Sequence, residues 1–317
     1  MMRRTGSLAP EARYRPGRSM PQAPAMPVRT GPASPPAAQS DQLSSADFQR
    51  LSTIIGQAVG IHLTASKHQM VEGRLRRRLR ATGCSSFHAY CRRLFDGGGL
   101  ASELPHLINA ITTNKTDFFR EVEHFRLLSS RMVPSLLARR GEAAVPLLKL
   151  WSAAASTGAE AYTMAMVMSD LQQKQRNFRF AVLGTDVSTE VLDQAAQAIF
   201  PAEMVADIPD AMMERYVMRS RPSGDPQRVR MTPELRRSVR FAKLNLMDTV
   251  YPVDKDIDVI FLRNVLIYFD RPTQASVTDR MIQHLRPGGY LILGMSDMMA
   301  GNMDTVRQIA PSVFEKK

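Results

Sequence analysis

The chain has only two cysteines among its 317 residues, too few for a disulfide framework. No run of about 18 or more consecutive apolar residues occurs, so no transmembrane helix and no membrane insertion are expected. The opening stretch MMRRTGSLAPEARYRPGRSM carries charge but lacks the apolar run of a secretory signal, which points to a reducing, cytoplasmic compartment. Cys84 and Cys91 lie seven positions apart without a recognisable ligand set, so no metal site is expected. The six histidines are scattered, and none forms an obvious pair with an acid. Aromatic residues make up 7% of the chain, with a single tryptophan, Trp151, inside an apolar run where a core position is expected.

Acids are also scarce. The chain carries 42 basic residues against 30 acids, a formal charge of +12, and 34 of the basic residues are arginine. Such an excess suits nucleic acid, a membrane surface or an acidic protein. The most basic helical stretch has no interleaved aromatics and no recognised nucleic-acid motif appears, so no nucleic-acid partner is expected.

Residues 1–40 hold eight prolines, three glycines and six arginines against one acid, with few large apolar side chains. Such a segment cannot bury enough surface to offset the entropy of ordering it, and it reads as a disordered basic tail. From Ser44 or Ser45, either of which suits an N-cap, Phe48, Leu51, Ile55 and Val59 recur at helical spacing. Further helices fit 67–82, closed by Gly83, and 86–95. In the first of these Val71, Leu75 and Leu79 form an apolar stripe, Arg76, Arg77 and Arg80 point away from it, and Arg74 and Arg78 flank it. Residues 41–108 therefore read as a small helical domain.

After about residue 145 short apolar runs alternate with helical patterns. LLKLWSAAAS, FRFAVLGTD, VRFAKLN, DVIFLRN and YLILGMS read as strands, with helices near 160–173, 188–199 and 272–286. Apolar strands separated by helices predict a largely parallel sheet covered on both faces. Between Tyr216 and Phe241, Ser-Gly-Asp-Pro at 223–226 followed by the alternating RVRM predicts a small hairpin on the edge of that sheet.

In an open α/β sheet ligands bind beyond the carboxyl ends of the strands. The first strand runs into the small-residue turn Ala155-Ser156-Thr157-Gly158-Ala159-Glu160, which allows close approach of a ligand. The second ends in Gly184-Thr185-Asp186, where a carboxylate suits a ribose diol, although it would also serve to cap a helix starting near Ser188. The next two strands end at Asn245-Leu246 and at Arg263-Asn264-Val265-Leu266-Ile267-Tyr268. Four loops on one rim predict a nucleoside cleft, and these residues alone leave a dinucleotide and S-adenosylmethionine both open.

ITTNKTDFFRE at 111–121, LWSAAASTGAE at 150–160, FLRNVLIYFD at 261–270 and HLRPGGYLILG at 284–294 closely resemble, in order and spacing, the signatures of CheR-type chemoreceptor glutamate methyltransferases. The resemblance runs from about Ser45 to the end. It implies a Rossmann-like class I S-adenosylmethionine-dependent methyltransferase sheet at 109–317, a small all-helical N-terminal domain, and a small β-hairpin insertion at 217–241. The implied activity is methyl transfer from S-adenosylmethionine to receptor glutamates, yielding glutamate methyl esters and S-adenosylhomocysteine. A non-catalytic S-adenosylmethionine-binding scaffold or sensor is the alternative.

Carried over by motif, Asn114, Thr116 and Arg120 fold over cofactor and substrate, Glu160 holds the methionine ammonium, and Asp186 takes the ribose. Asn245, Leu246, Asn264 and Val265 line the cofactor, and Tyr268 faces the reacting sulfonium. The resemblance also implies an acidic helical substrate, the cytoplasmic helices of methyl-accepting chemoreceptors, for which Arg74, Arg76, Arg77, Arg78 and Arg80 offer a basic surface. Some family members bind a receptor C-terminal tail through the β insertion, and a monomer is expected. The chain departs from the family pattern at Ala159 and Ala161 in the first turn. It departs again at Met295 and at the Asp297-Met298-Met299 run, where the family carries a GHSENF-like end.

Overall fold

The computed structural model describes residues 41–140, 145–175, 177–219 and 227–317. The basic tail and the Ser-Gly-Asp-Pro turn lie outside the described residues. Helix α1 (Ser45–Val59) starts where the Ser44 hydroxyl accepts the Asp47 N–H at 3.0 Å, and it buries Phe48, Leu51, Ile55 and Val59. Helix α2 (His68–Thr82) buries Val71, Leu75 and Leu79 and ends at Gly83 in the left-handed conformation. Helices α3 (Phe87–Phe95) and α4 (Leu100–Ile111) complete one apolar core with them. Each large aliphatic side chain fully buried here contributes about 1.5–3 kcal/mol.

Three contacts seat this bundle on the rest of the chain. Asn245 Nδ2 donates to the Ala58 carbonyl at 2.7 Å, and the His62 N–H donates to the Tyr268 carbonyl at 2.9 Å. Gly60, with φ of 74°, ends α1 where a Cβ would stand 2.5 Å from Met247 Sδ and 3.1 Å from the Phe269 ring. Only glycine allows both that backbone conformation and that approach. A kinked connector follows, with α5 (Glu123–Leu127), a π turn at Leu128–Met132 and α6 (Val133–Ala138). Pro134 lacks an N–H to donate, and the π turn ahead of it absorbs the irregularity.

Strands and helices then alternate. They run β1 (Leu147–Ala153), α7 (Ala159–Lys174), β2 (Arg179–Asp186), α8 (Thr189–Gln197), β3 (Ile199–Pro201), α9 (Asp210–Tyr216), β4 (Val217–Arg219) and β5 (Arg228–Met231). After them come α10 (Pro233–Arg237), β6 (Val239–Lys243), β7 (Ile257–Leu262), α11 (Arg271–His284), β8 (Leu285–Leu293), β9 (Val306–Ala310) and β10 (Val313–Lys316). The main sheet has the order β6-β2-β1-β7-β8-β10-β9, parallel from β6 to β8, with β10 antiparallel to both of its neighbours. The direction of winding reverses between β1 and β7, which opens a crevice beyond their carboxyl ends. This is the Rossmann-like sheet expected. Trp151 is fully buried in β1, its indole N–H donating to the Thr185 hydroxyl at 2.9 Å.

One expectation is corrected. The 217–231 hairpin does not extend the edge of the main sheet, which is β6; it forms a separate antiparallel sheet of order β3-β5-β4. The alternation of RVRM buries Val229 and Met231 with Phe200 and with Tyr162 and Met166 of α7, so the small sheet joins the helical layer over the main one.

Candidate active site

The crevice is built first from the turn after β1. Ala154, Ser156 and Gly158 all have positive φ, of 59°, 51° and 89°. A Cβ at Gly158 would lie 2.9 Å from both Ala195 and the Phe241 ring, so glycine is required for the turn to enter α7. The Ser156 N–H donates to Asp186 Oδ2 at 2.9 Å, and its hydroxyl donates to the Asn114 carbonyl at 2.8 Å. Asp186 Oδ1 accepts the Ser188 N–H at 2.9 Å. The cap of α8 is the Ser188 hydroxyl, so Asp186 is not spent on that role. Burial raises the Asp186 carboxyl above its ordinary pKa, although the Ser188, Ser156 and Val187 amides pull the other way. Each of its oxygens keeps acceptor capacity for a further donor.

The floor is a buried ion network. Glu160 Oε1 accepts from the Ser152 hydroxyl at 2.7 Å, and its Oε2 accepts from Arg263 at 3.2 Å. The Arg263 side chain, 2% exposed, also pairs with Glu121 at 3.1 Å, donates to the Arg120 carbonyl, and stacks against Phe125 and Phe261. Two carboxylates thus share one guanidinium. Burial pushes the Glu160 carboxyl up against the pull of Arg263. At Glu121 burial acts in the same upward direction, but Arg263, the Met295 N–H and the Asn264 amide outweigh it and the carboxyl is held below its ordinary value. The sequence reading does not select Arg263 and Glu121 as site residues, although both lie inside the quoted motifs and an arginine directly after the apolar run at 259–262 is the available signal.

Two segments of unusual backbone carry Arg120 and Tyr268 into the cleft. Phe119 and Glu121, with φ of 53° and 55°, flank Arg120. Asn264, with φ of 56°, precedes the short 3₁₀ turn Leu266–Tyr268. Arg120 makes no ion pair with Glu121 or Glu123, which pair with Arg263 and Arg126; its contact is the Lys115 carbonyl at 3.4 Å. The Tyr268 hydroxyl has no hydrogen-bond partner among the described residues and lines the cleft with Arg120. The departure at 295–299 turns out to be anchored. Buried Asp297 accepts the Asn264 N–H, the Gly294 N–H at 3.0 Å and the Ile267 N–H at 3.3 Å.

Asn114, Thr116, Arg120, Glu160, Asp186, Asn245, Leu246, Asn264, Val265 and Tyr268 all line one cleft, which holds about 1270 Å³ of empty space with its open mouth included. The Asn245 side chain is already committed, to the Ala58 carbonyl and to the Met247 N–H. The basic helix divides. Arg74 donates to the carbonyls of Ile111 and Thr112 and to the Thr113 hydroxyl, and Arg78 grips Glu103 at 2.7 and 3.0 Å. Arg76 leans on Glu72 at 2.6 Å, while exposed Arg77 and Arg80 have no hydrogen-bond or ion-pair partner among the described residues. The basic surface read from the sequence therefore narrows, because two of its five arginines are turned to internal work.

The family model described as CheR methyltransferase, SAM binding domain, matches residues 114–314, and that described as CheR methyltransferase, all-alpha domain, matches 46–112. The chain belongs to the CheR methyltransferase family. The chemotaxis protein methyltransferase of Escherichia coli is 39% identical over 255 residues, covering 80% of this chain and 85% of that protein. Chemotaxis protein methyltransferase 2 of Pseudomonas aeruginosa is 36% identical, covering 84% of this chain and 92% of that one. The chemotaxis protein methyltransferase of Borreliella burgdorferi is 32% identical, with coverages of 85% and 94%.

The cofactor of this CheR chain is S-adenosylmethionine, and the cleft has the chemistry to take it. Glu160 offers a buried carboxylate, Asp186 offers paired acceptors, and Val187, Leu244, Leu246, Val265 and Phe269 supply apolar wall. No helix among the described residues is long and apolar enough to cross a membrane.

Proposed function

We propose that this CheR chain methylates glutamate side chains of chemoreceptors, forming the methyl esters used in chemotaxis adaptation. The observation that carries the reading is the convergence of the motif residues on one cleft, where buried Arg263 ties the Glu160 carboxylate to the Arg120 backbone and Asp186 and Tyr268 line the same space. Glu160, Glu121 and Arg263 together leave one unbalanced negative charge, which a ligand ammonium would neutralise. In this reading Glu160 takes the ammonium and Asp186 the ribose diol, while Asn114, Thr116, Asn245, Leu246, Asn264 and Val265 surround the rest of the cofactor.

When bound, S-adenosylmethionine supplies an activated methyl group on a sulfonium, and S-adenosylhomocysteine is left. A receptor glutamate, with a reference pKa of about 4.3, is ionised at neutral pH and needs no general base. Charge is neutralised along the reaction, so a site that gripped the carboxylate strongly would slow attack. The useful contributions are orientation and exclusion of water. Arg120 holds one carboxylate oxygen, and Tyr268 restrains the approach at the methyl group. Arg77 and Arg80, with Arg76 beside them, face an acidic receptor helix. The division into a helical domain at 41–108 and a methyltransferase domain at 109–317, a receptor tail on the small sheet, a monomeric state and a cytoplasmic location complete the proposal. Incubation with labelled S-adenosylmethionine and receptor cytoplasmic fragments should yield base-labile methyl esters. Their absence would overturn the reading.

A further inference from the structure

Lys67 and Met70, at the start of α2, line the cleft, and the free Arg77 and Arg80 follow further along the same helix. Close in sequence to cleft-lining Arg120 and Tyr268, and in the 295–298 loop bonded to their segments, four large apolar side chains stand in solvent: Val122 is 39% exposed, Ile267 50%, Met295 59% and Met298 61%. Single exposed apolar residues are ordinary, but several gathered at the rim of a site are not.

Polar ties hold these four together. Glu121, adjacent to Val122, accepts the Met295 N–H at 3.2 Å. Asp297, adjacent to Met298, accepts the Ile267 N–H at 3.3 Å. The Arg271 guanidinium lies 3.9 Å from Met298 Sδ. Arg120 precedes this shelf by two residues, and Tyr268 directly follows Ile267. The segments that send reacting-end residues into the cleft therefore send apolar side chains out beside its mouth. Because the carboxylates of Glu121 and Asp297 fix the backbone, the shelf is preorganised, and binding to it forfeits little ordering entropy.

We infer that this shelf docks the apolar face of the receptor helix that carries the glutamate to be methylated; the inference rests on the function proposed above. A glutamate side chain is short, so its helix must come down against the rim for the carboxylate to enter. An amphipathic helix then presents an apolar stripe and a charged stripe together. The apolar shelf offers a surface for the first stripe, and the basic face of α2 offers charge complementary to the second. Methionine side chains adapt their shape to different partners, so the shelf accommodates related helices without demanding one apolar sequence.

The test compares initial methylation rates on a receptor cytoplasmic fragment for the full-length protein and the double variant Met295→Gln, Met298→Gln. Both side chains are exposed, and the ties from Glu121 and Asp297 use backbone N–H groups or the unchanged Asp297 carboxylate, so the fold survives. The double variant should raise the KM for the fragment about five- to tenfold, the scale of losing one well-covered apolar side chain. Its kcat and its affinity for S-adenosylmethionine by calorimetry should match wild type. The increase should persist at high salt, because apolar contact is not screened. Met303→Gln, at an exposed methionine outside the shelf, should leave KM unchanged. Active wild type with an unaltered KM in the double variant, or an increase that disappears at high salt, overturns the shelf alone. Wild type that forms no methyl ester on the fragment overturns the functional reading and the shelf with it.

Discussion

Two arginine-bearing regions of the molecule behave in opposite ways. Helix α2 presents five arginines within seven positions, and the cleft floor holds one, Arg263. The five are spread over solvent, their own helix and α4 with the residues just after it, whereas the one reaches Glu121, Glu160 and the Arg120 carbonyl from an interior position. Burial decides what a charge does. An exposed pair is worth little because water screens it, while a buried guanidinium cannot be removed without leaving carboxylates stranded.

The variant that presses hardest on this contrast is Arg263→Ala. It leaves Glu160 and Glu121 without their shared cation and should cost roughly 3–5 kcal/mol in urea unfolding. The sign of its pH dependence follows from the two carboxyls. Glu160 already sits above its ordinary value of 4.5, so its ionised form costs stability at higher pH and the cost fades as pH falls through the raised value. Glu121 sits below its ordinary value, so its contribution is present above 4.5 and lost as pH falls through the lowered value. Removing Arg263 moves both groups upward. The deficit should be greatest near neutral pH and shrink as the solution is acidified toward 4.5. Arg263→Lys restores charge but cannot span three acceptors, and should recover only part of the loss. A wild-type unfolding midpoint for Arg263→Ala would break the contrast at its strong end.

Arg120 and Tyr268 sharpen it differently, since neither carries internal structure comparable to that of Arg263. Arg120→Ala and Tyr268→Phe should lower kcat by roughly ten- to a hundredfold through lost orientation, with smaller changes in S-adenosylmethionine affinity. Tyr268→Phe removes a hydroxyl without a partner among the described residues, so unfolding should not change. Wild-type turnover by either variant removes that residue from the reacting end. Asp186→Ala should weaken S-adenosylmethionine binding by about 1–3 kcal/mol. Part of that loss arises because the Ser156 and Ser188 N–H groups lose their acceptor. Unchanged affinity by calorimetry would sink the ribose assignment.

The parallel part of the sheet was legible because its strands are short apolar runs and its helices keep one period. The elements that escaped share weak local signals. Helix α4 contains Pro105, which removes a donor, and it holds through Leu107 and Ile111 packed in the bundle core. The α5–α6 connector hides its period behind a π turn and Pro134. The strands β9 and β10 are five and four residues long and charged, and they are strands because β8 offers β10 an edge and β10 in turn pairs with β9. Ile199–Pro201 is too short to read alone, which is why the hairpin was assigned to the wrong sheet. The cleft's residues stood out through long motifs, but the work of Arg263 and Asp297 depends on which backbone and carboxylate groups the fold brings beside them. No spacing along the chain encodes that.

The smallest effect tests the other end of the contrast, inside α2 itself. Arg78 holds Glu103 in a two-pronged, half-buried pair, so Arg78→Ala should cost about 1–3 kcal/mol of stability. Arg77 and Arg80 have no such partner among the described residues, and replacing both with alanine should shift stability by no more than about 0.5 kcal/mol. Their charge would act instead on encounter with an acidic helix, over the roughly 10 Å that 0.1 M salt leaves unscreened. The double variant should therefore raise the KM for a receptor fragment about two- to fivefold at low salt and flatten its salt dependence. Its affinity for S-adenosylmethionine should match wild type, because neither side chain lines the cleft. An unaltered KM and salt slope in the Arg77, Arg80 variant would show that these two arginines serve only as a solvated face.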